Sequence, residues 1–445
     1  MLKKKYRNLM SQSVYYGLGM FLMKGISLVM LPVYTHYLSP EDYGRLEILV
    51  VMANVFSIIL GFGLVEALCR FVGLAKEYSD KKKHAGECLF IALIVAFSSY
   101  LFFYFLSSSI ATLLPDAITA HEVYLLGMAL AVSGLINVPL AWLRITDNAI
   151  LFFKITMLKV LLQVVLSVYW LAQGMGISSI LAAGAVSSVI VAVFLCFIQI
   201  KETGLHFSLN NLINISKYAS PIFIGGLATF ALSGMDRWVL AEYFGAKEIA
   251  AYAIAIKFAL VPTLLIQPFT LWWLPKRYSV LNESNGKEVN AHFAILGSII
   301  SVLTCGAIGF IGPYLIQLLT PVEYHSAITI LPWLLLCMLI KMVSELLNLG
   351  CFIDKSSQTQ MNINFFSCGV GALLLLVLVP IFMVVGAIAS LLVANILRLV
   401  LFYHYSQKQL YLPYRFGYLC TAFGAAIIAM WLGQLIESNA WIVAI

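Results

Sequence analysis

The sequence predicts an all-α polytopic membrane protein: two six-helix lobes in a parallel pseudo-two-fold repeat, plus one or two extra C-terminal helices. Three observations carry that fold class. Hydrophobic residues make up 62% of the 445-residue chain and charged residues only 11%, with a mean hydropathy of +0.96, far too little polar side chain to cover a water-soluble protein of this length. The apolar runs reach about 20 residues or more, the length of helix that crosses a bilayer. A polar stretch, YLSPEDYGRL at residues 37–46, has an echo 206 positions later in YFGAKEIAAY at 243–252.

Taken in order, the first apolar run covers 14–38. It follows Lys3, Lys4, Lys5 and Arg7 as a signal peptide would, but it carries Lys24 and Pro32 and lacks a small-residue cleavage site, so it is expected to stay as the first transmembrane helix. Further spans are expected at 45–69, 88–114, 122–145, 149–173 and 177–199, then at 218–241, 248–275, 291–319, 325–349, 360–383 and 385–405, with a thirteenth at 416–436 and the start of a fourteenth in AWIVAI. This divides the chain into an N-terminal lobe (1–200), a cytoplasmic connector (201–217), a C-terminal lobe (218–405) and an extra helical segment (406–445). Alternating polar and apolar residues, the mark of a membrane β-barrel, are missing.

Loop charge tests the span list. With the N-terminus inside, eighteen lysines and arginines fall in the segments assigned to the cytoplasm, against Arg45 and Lys247 outside. One missed helix would invert every later loop, so this asymmetry supports both the count and a multi-pass topology with a cytoplasmic N-terminus. The net charge of +7 then reflects topology and asks for no nucleic-acid partner. Adding 206 to the six first-half span starts reproduces the second-half starts to within about five residues. An even number of intervening spans gives both halves the same orientation, a parallel repeat of the kind found in transporters. In this frame 37–46 is a turn between the first two helices on the outer side, with Pro40 and Gly44 as turn formers and Glu41 and Asp42 solvated or capping the next helix.

Soluble-enzyme signatures are missing: no GxxxxGK, no GxGxxG after a strand, no HExxH, no GxSxG. The eight cysteines have no CxxC spacing and fall mostly inside apolar runs, where they act as small hydrophobes. No catalytic residue, metal site or cofactor is expected.

Charge inside the membrane is the informative feature. Lys24, Lys154, Lys159, Arg237, Lys257, Lys341 and Arg398 fall within spans, against Glu66, Asp236 and Glu345, with Glu47 at an edge. A charge facing lipid costs about 2.5–3.5 kcal/mol even on lenient scales, so these groups should line an aqueous cavity or pair. Glu66 with Arg70, and Lys341 with Glu345, stand at i, i+4 and suit intrahelical ion pairs. Lys154 and Arg398 are placed to snorkel. Asp236 and Arg237 are adjacent, point to different sides, and each need a partner elsewhere. Lys24, Lys159, Arg237 and Lys257 are the leading cavity candidates, with Lys341 and Arg398 beside them; Asp236, Glu66, Arg70 and Glu345 are candidates for coupling or ion pairing. An excess of buried cations attracts a phosphate or diphosphate and repels cationic drugs.

The run from Lys24 through LPVYTHYLSPEDYGRLEIL, and the second-half SGMDRWVLAEYFGAKEIAAYAIAIKF with Asp236, Arg237, Gly245, Tyr252 and Lys257, resemble the bacterial lipid-linked oligosaccharide (O-antigen or capsule repeat unit) flippases of the multidrug/oligosaccharidyl-lipid/polysaccharide exporter superfamily. Where that pattern often has V-G-x-Y, this chain has Ile249-Ala250-Ala251-Tyr252. The resemblance implies two lobes around an alternately opening cavity that moves an undecaprenyl-diphosphate-linked oligosaccharide from the inner to the outer leaflet. Cationic residues would meet the diphosphate, and a polysaccharide polymerase and a chain-length regulator would be assembly partners. Two other classes stay open: a cation-coupled multidrug exporter of the same superfamily, which would place carboxylates deep in its cavity, and a membrane polymerase or ligase, which would need a large charged outer loop.

Overall fold

The computed structural model describes residues 25–26, 28–61, 63–75, 77–115, 118–208, 234–281, 283–352, 358–425 and 428. Among them every regular element is a helix, and nine helical stretches are long and apolar enough to cross a membrane. The chain divides into two compact units, Met1–Phe230 and Ala231–Ile445. The connector at 201–217 and the seventh span at 218–241 lie largely outside the described residues.

In the first unit α1 (Leu31–Tyr37) leads into α2 (Pro40–Gly61), α3 (Leu64–Leu74), α4 (Tyr78–Thr112), α5 (Ala120–Ala131), α6 (Ser133–Ile145), α7 (Ala149–Ala172) and α8 (Ile177–Thr203). The expected turn at 37–46 is shorter than the sequence suggested. Only Leu38 and Ser39 leave the helix, and Pro40 to Arg45 form the first turns of α2. Proline suits that place because its missing N–H is unneeded in a first turn. Ser39 caps the helix: its hydroxyl accepts from the Asp42 N–H at 3.1 Å and donates to the Asp42 carboxylate at 3.0 Å. The core of this unit joins α3, α4, α6, α7 and α8 around Trp142, Leu68, Val138 and Cys88. Lipid is as apolar as these side chains, so close packing rather than water exclusion holds such helices together. Gly127 on α5 illustrates it, since a methyl group there would overlap the ring of Phe103.

The second unit holds α9 (Met235–Phe244), α10 (Ala246–Val280), α11 (Gly286–Leu319), α12 (Ala327–Leu346) and α13 (Gln358–Gln409), followed by α14 (Phe416–Ala425). The repeat is visible in the helix starts: α2 begins at Pro40 and α10 at Ala246, an offset of 206, and α5 and α12 begin 207 apart. Ser39 at the first break corresponds to Gly245 at the second, where φ is +80°. α13 contains a break at Met383. A straight 52-residue helix would hold positions 364 and 398 about 50 Å apart, yet Arg398 donates a hydrogen bond to Asn364 at 3.0 Å. The chain therefore doubles back at Met383, and α13 is two antiparallel passes, as the spans at 360–383 and 385–405 require.

Candidate functional site

In the second unit, two cations expected to line a cavity both lie within electrostatic reach of Cys368. Lys341 lies on α12; Arg398 lies on the returning pass of α13. The Arg398 guanidinium sits 3.6 Å from Glu345, donates from Nε to Asn364 Oδ1 at 3.0 Å, and stacks 5.3 Å from the centre of the Phe402 ring. Cys368, one turn beyond Asn364, lies within electrostatic reach of both Arg398 and Lys341. Two expectations change here. Glu345 pairs with Arg398 across helices rather than with Lys341 at i, i+4. Arg398 is also held in place by Asn364 and Phe402 rather than left to snorkel, with 11% of its side chain exposed. Because Glu345 is 50% exposed and the contact is long, the pair adds under about 1 kcal/mol. Glu345 is thus a loosely held partner of Arg398, and Lys341 adds a second positive charge within electrostatic reach of Cys368.

A second constellation lies where α9 meets α10. Asp236 and Arg237 are both buried, at 4% and 9% exposure. The partner the sequence left unnamed for Asp236 is Tyr252, whose hydroxyl donates to Asp236 Oδ2 at 2.6 Å. The other carboxylate oxygen, Oδ1, is buried without a hydrogen bond. Tyr252 belongs to the stretch that carries the family resemblance, as does Asp236. Lys257, one turn and a half further along α10, is half-buried.

In the first unit, Lys159 is half-buried on α7 and Lys154 is exposed. Among the described residues no acid pairs with Lys159. Glu66 and Arg70 do not form the intrahelical pair their spacing allows; both line one cavity of about 670 Å³ between α3 and α6, together with Val65, Cys69, Ala141, Arg144 and Ile145. Lys24 lies outside the described residues.

Two charged groups that sequence reasoning treated as ordinary loop cations prove to be built into the fold. Arg45, on the first turns of α2, holds Nη2 3.0 Å from both carboxylate oxygens of Glu122, and Glu122 closes a capping box with Thr119 at the start of α5. A span of 248–275 leaves Arg277 in the cytoplasmic loop that follows it. α10 instead runs to Val280, and Arg277 is only 6% exposed. It donates to Asn348 Oδ1 at 3.0 Å and to the Tyr278 hydroxyl at 3.1 Å, and lies 5.0 Å from the Phe352 ring centre. Nearby, burial pushes the Tyr414 hydroxyl above the usual phenol range, while the Arg277 charge acts in the opposite direction. Nothing in the sequence separates Arg277 from its solvent-facing neighbour Lys276; the contact with Asn348 spans 71 positions.

Comparison with known proteins gives this chain a family and a fold. Residues 33–276 match the family described as "Polysaccharide biosynthesis protein". The succinoglycan biosynthesis transport protein ExoT of Rhizobium meliloti (strain 1021) is 25% identical over 244 residues, covering 54% of this chain and 48% of that one; the chain thus spans about half the length of this curated relative. Among solved structures, the lipid II flippase MurJ in an inward closed conformation superposes with a TM-score of 0.70 at 13% identity, over 97% of this chain and 98% of that one. An inward-facing multidrug resistance MATE family transporter of the MOP superfamily gives 0.70 at 14% identity, over 89% and 97%. At such identities the two structures share the fold with this chain.

Proposed function

Because the chain belongs to the polysaccharide biosynthesis protein family, we propose that it is a transporter that flips undecaprenyl-diphosphate-linked oligosaccharide repeat units, of the kind used for O-antigen or lipopolysaccharide assembly, from the cytoplasmic to the outer leaflet of a bacterial inner membrane. The observation that carries this reading is the pair of cations Lys341 and Arg398 on membrane-spanning helices, both within electrostatic reach of Cys368, with only the half-exposed Glu345 against Arg398. Such a group is costly in lipid and is stabilised by an anion; a diphosphate supplies one. Lys159 would present a further positive charge from the first lobe. Lys24, Arg237 and Lys257 are proposed to complete the cationic path, which the two lobes (1–200 and 218–405) open alternately to each side. Asp236 and Glu66 remain the candidates for coupling.

ExoT, named for transport in succinoglycan biosynthesis, supports a polysaccharide precursor as cargo. The likeness to a multidrug transporter is one of fold, and a cationic drug would be repelled by the cluster. A polysaccharide polymerase and a chain-length regulator are the proposed partners downstream, since each takes up what the flippase delivers. The test replaces Lys341, Arg398 and Lys159 singly with alanine in a strain lacking the protein and measures surface polysaccharide. Loss of polysaccharide at normal protein levels is expected for Lys341→Ala and Arg398→Ala. Full delivery by all three variants would remove the cationic-path assignment.

A further inference from the structure

Two polar side chains of α7 stand in the middle of a membrane span with nothing to pair with. Lys159 and Gln163 lie one turn apart on that helix, and both are half-buried. Among the described residues neither makes a hydrogen bond or an ion pair. Thr156, on the same side of α7, differs: its hydroxyl donates to the carbonyls of Phe152 and Phe153, at 2.9 Å each, and is satisfied within the helix. Back-bonding of that kind belongs to short side chains.

Neither residue is on the lipid side. Successive residues are about 100° apart around a helix, so positions two apart are nearly opposite. Leu161, two positions from both, and Val165, two from Gln163, are exposed and mark the lipid side. Lys159 and Gln163 therefore turn toward the interior of the first unit, beside the buried Thr156 and Val160. A methyl group on Gly184 of α8 would lie 3.8 Å from the Gln163 amide nitrogen, so the amide reaches the seam between α7 and α8.

An unpaired ammonium and an unpaired amide are both costly inside a membrane, and they ask for different chemistry. The ammonium only donates and carries charge, which suits an anion. The amide both donates and accepts; a phosphate would satisfy its N–H groups and leave its carbonyl unpaired. A hydroxyl satisfies both, because it too donates and accepts. The two residues are about 6 Å apart along the helix axis, close to the reach from a phosphate to the hydroxyls of a sugar bonded to it. We propose that Gln163 reads the sugar: its amide hydrogen-bonds a hydroxyl of the first sugar of the cargo while Lys159 meets the diphosphate to which that sugar is bonded. This role rests on the flippase reading of the chain and adds to it a group that senses the sugar rather than the charge.

The experiment measures the affinity of the purified full chain, in detergent, for four probes: farnesyl diphosphate and its glucosyl, galactosyl and N-acetylglucosaminyl esters. At least one sugar ester is expected to bind about two- to tenfold tighter than farnesyl diphosphate, the gain of one net hydrogen bond. Gln163→Leu should erase that gain and leave the affinity for farnesyl diphosphate unchanged, whereas Lys159→Ala should weaken all four. Without ligand, Gln163→Leu should melt no lower than the unsubstituted protein, because it removes an unpaired amide from an apolar setting. A lower melting temperature would show the amide to be satisfied within the fold and overturn the proposal. So would a sugar preference that survives in Gln163→Leu, or an equal loss for all four probes in that variant. Four equal affinities in the unsubstituted protein would overturn the sugar-reading role alone, while failure of all four to bind would remove the flippase reading as well.

Discussion

Met383 adopts φ 53° and ψ −131°, the backbone conformation that Gly176 adopts (φ 58°, ψ −141°) 207 positions earlier in the other repeat. Both residues make the turn into the last pass of their lobe. Glycine enters that region freely, whereas a side chain there collides with its own backbone. The two repeats therefore share the turn, with a methionine in one at the place where the other has the residue that suits it. Such strain costs about 1–3 kcal/mol. Met383→Gly should raise the melting temperature of the purified protein, with part of the gain offset by about 0.5–1 kcal/mol of added chain entropy in the unfolded state. A lower melting temperature would mean that the Met383 side chain contributes more than its backbone costs.

Arg45 and Glu122 couple α2 to α5 across 77 positions. Glu122→Ala removes one partner of Arg45, which also contacts Asp42 at 3.4 Å, and strips the Thr119 N–H of its acceptor, which lies at 2.8 Å. A loss of about 1–3 kcal/mol follows from the cap and the charged hydrogen bonds together. Glu122→Gln keeps the cap geometry and should retain about half of that. Thermal melts of the two variants and of Arg45→Ala, combined as a double-mutant cycle, measure the coupling.

Arg277 and Lys276 are neighbours in sequence and opposites in environment. Arg277→Lys cannot reproduce the planar stacking on Phe352 and Tyr278 together with the hydrogen bond to Asn348, and should lower stability by about 2–3 kcal/mol. Lys276→Ala gives up a cation–π contact 4.4 Å from the Trp272 ring, worth about 0.5–1 kcal/mol at an exposed position. Equal shifts in melting temperature for the two substitutions would contradict the burial of Arg277.

Tyr252→Phe leaves Asp236 buried without the hydroxyl that now donates to it at 2.6 Å, at a cost of about 1–3 kcal/mol. Asp236→Asn in the same background should recover part of this, because a neutral amide tolerates burial better than an unsatisfied carboxylate. If Tyr252→Phe alone is neutral in thermal melts, the Asp236–Tyr252 hydrogen bond is not what holds α9 against α10.

The residues that sequence reasoning placed well and those it misplaced differ in a consistent way. Spans, their pairing at an offset of 206 and the break near 383 follow from local quantities: run length, loop charge and the recurrence of both. The ionic contacts do not. Spacing put Glu345 with Lys341 and Glu66 with Arg70, yet Glu345 reaches Arg398 on another helix, and Glu66 and Arg70 open onto a shared cavity. Intrahelical spacing shows which side chains can touch, but a neighbouring helix offers a competing partner at the same distance, and no local rule ranks the two.

By itself, then, the sequence determined the helical membrane class, the order of the described passes and the doubled lobe, because lipid imposes length and apolarity on every crossing helix and the repeat writes them twice. Only the tertiary structure decided which charges meet: Arg45 with Glu122, Arg398 with Glu345 and Asn364, Tyr252 with Asp236, and Arg277 with Asn348. Each of those contacts depends on how two helices rotate about their axes as they pack, and that rotation is set by the fit of many small side chains at once.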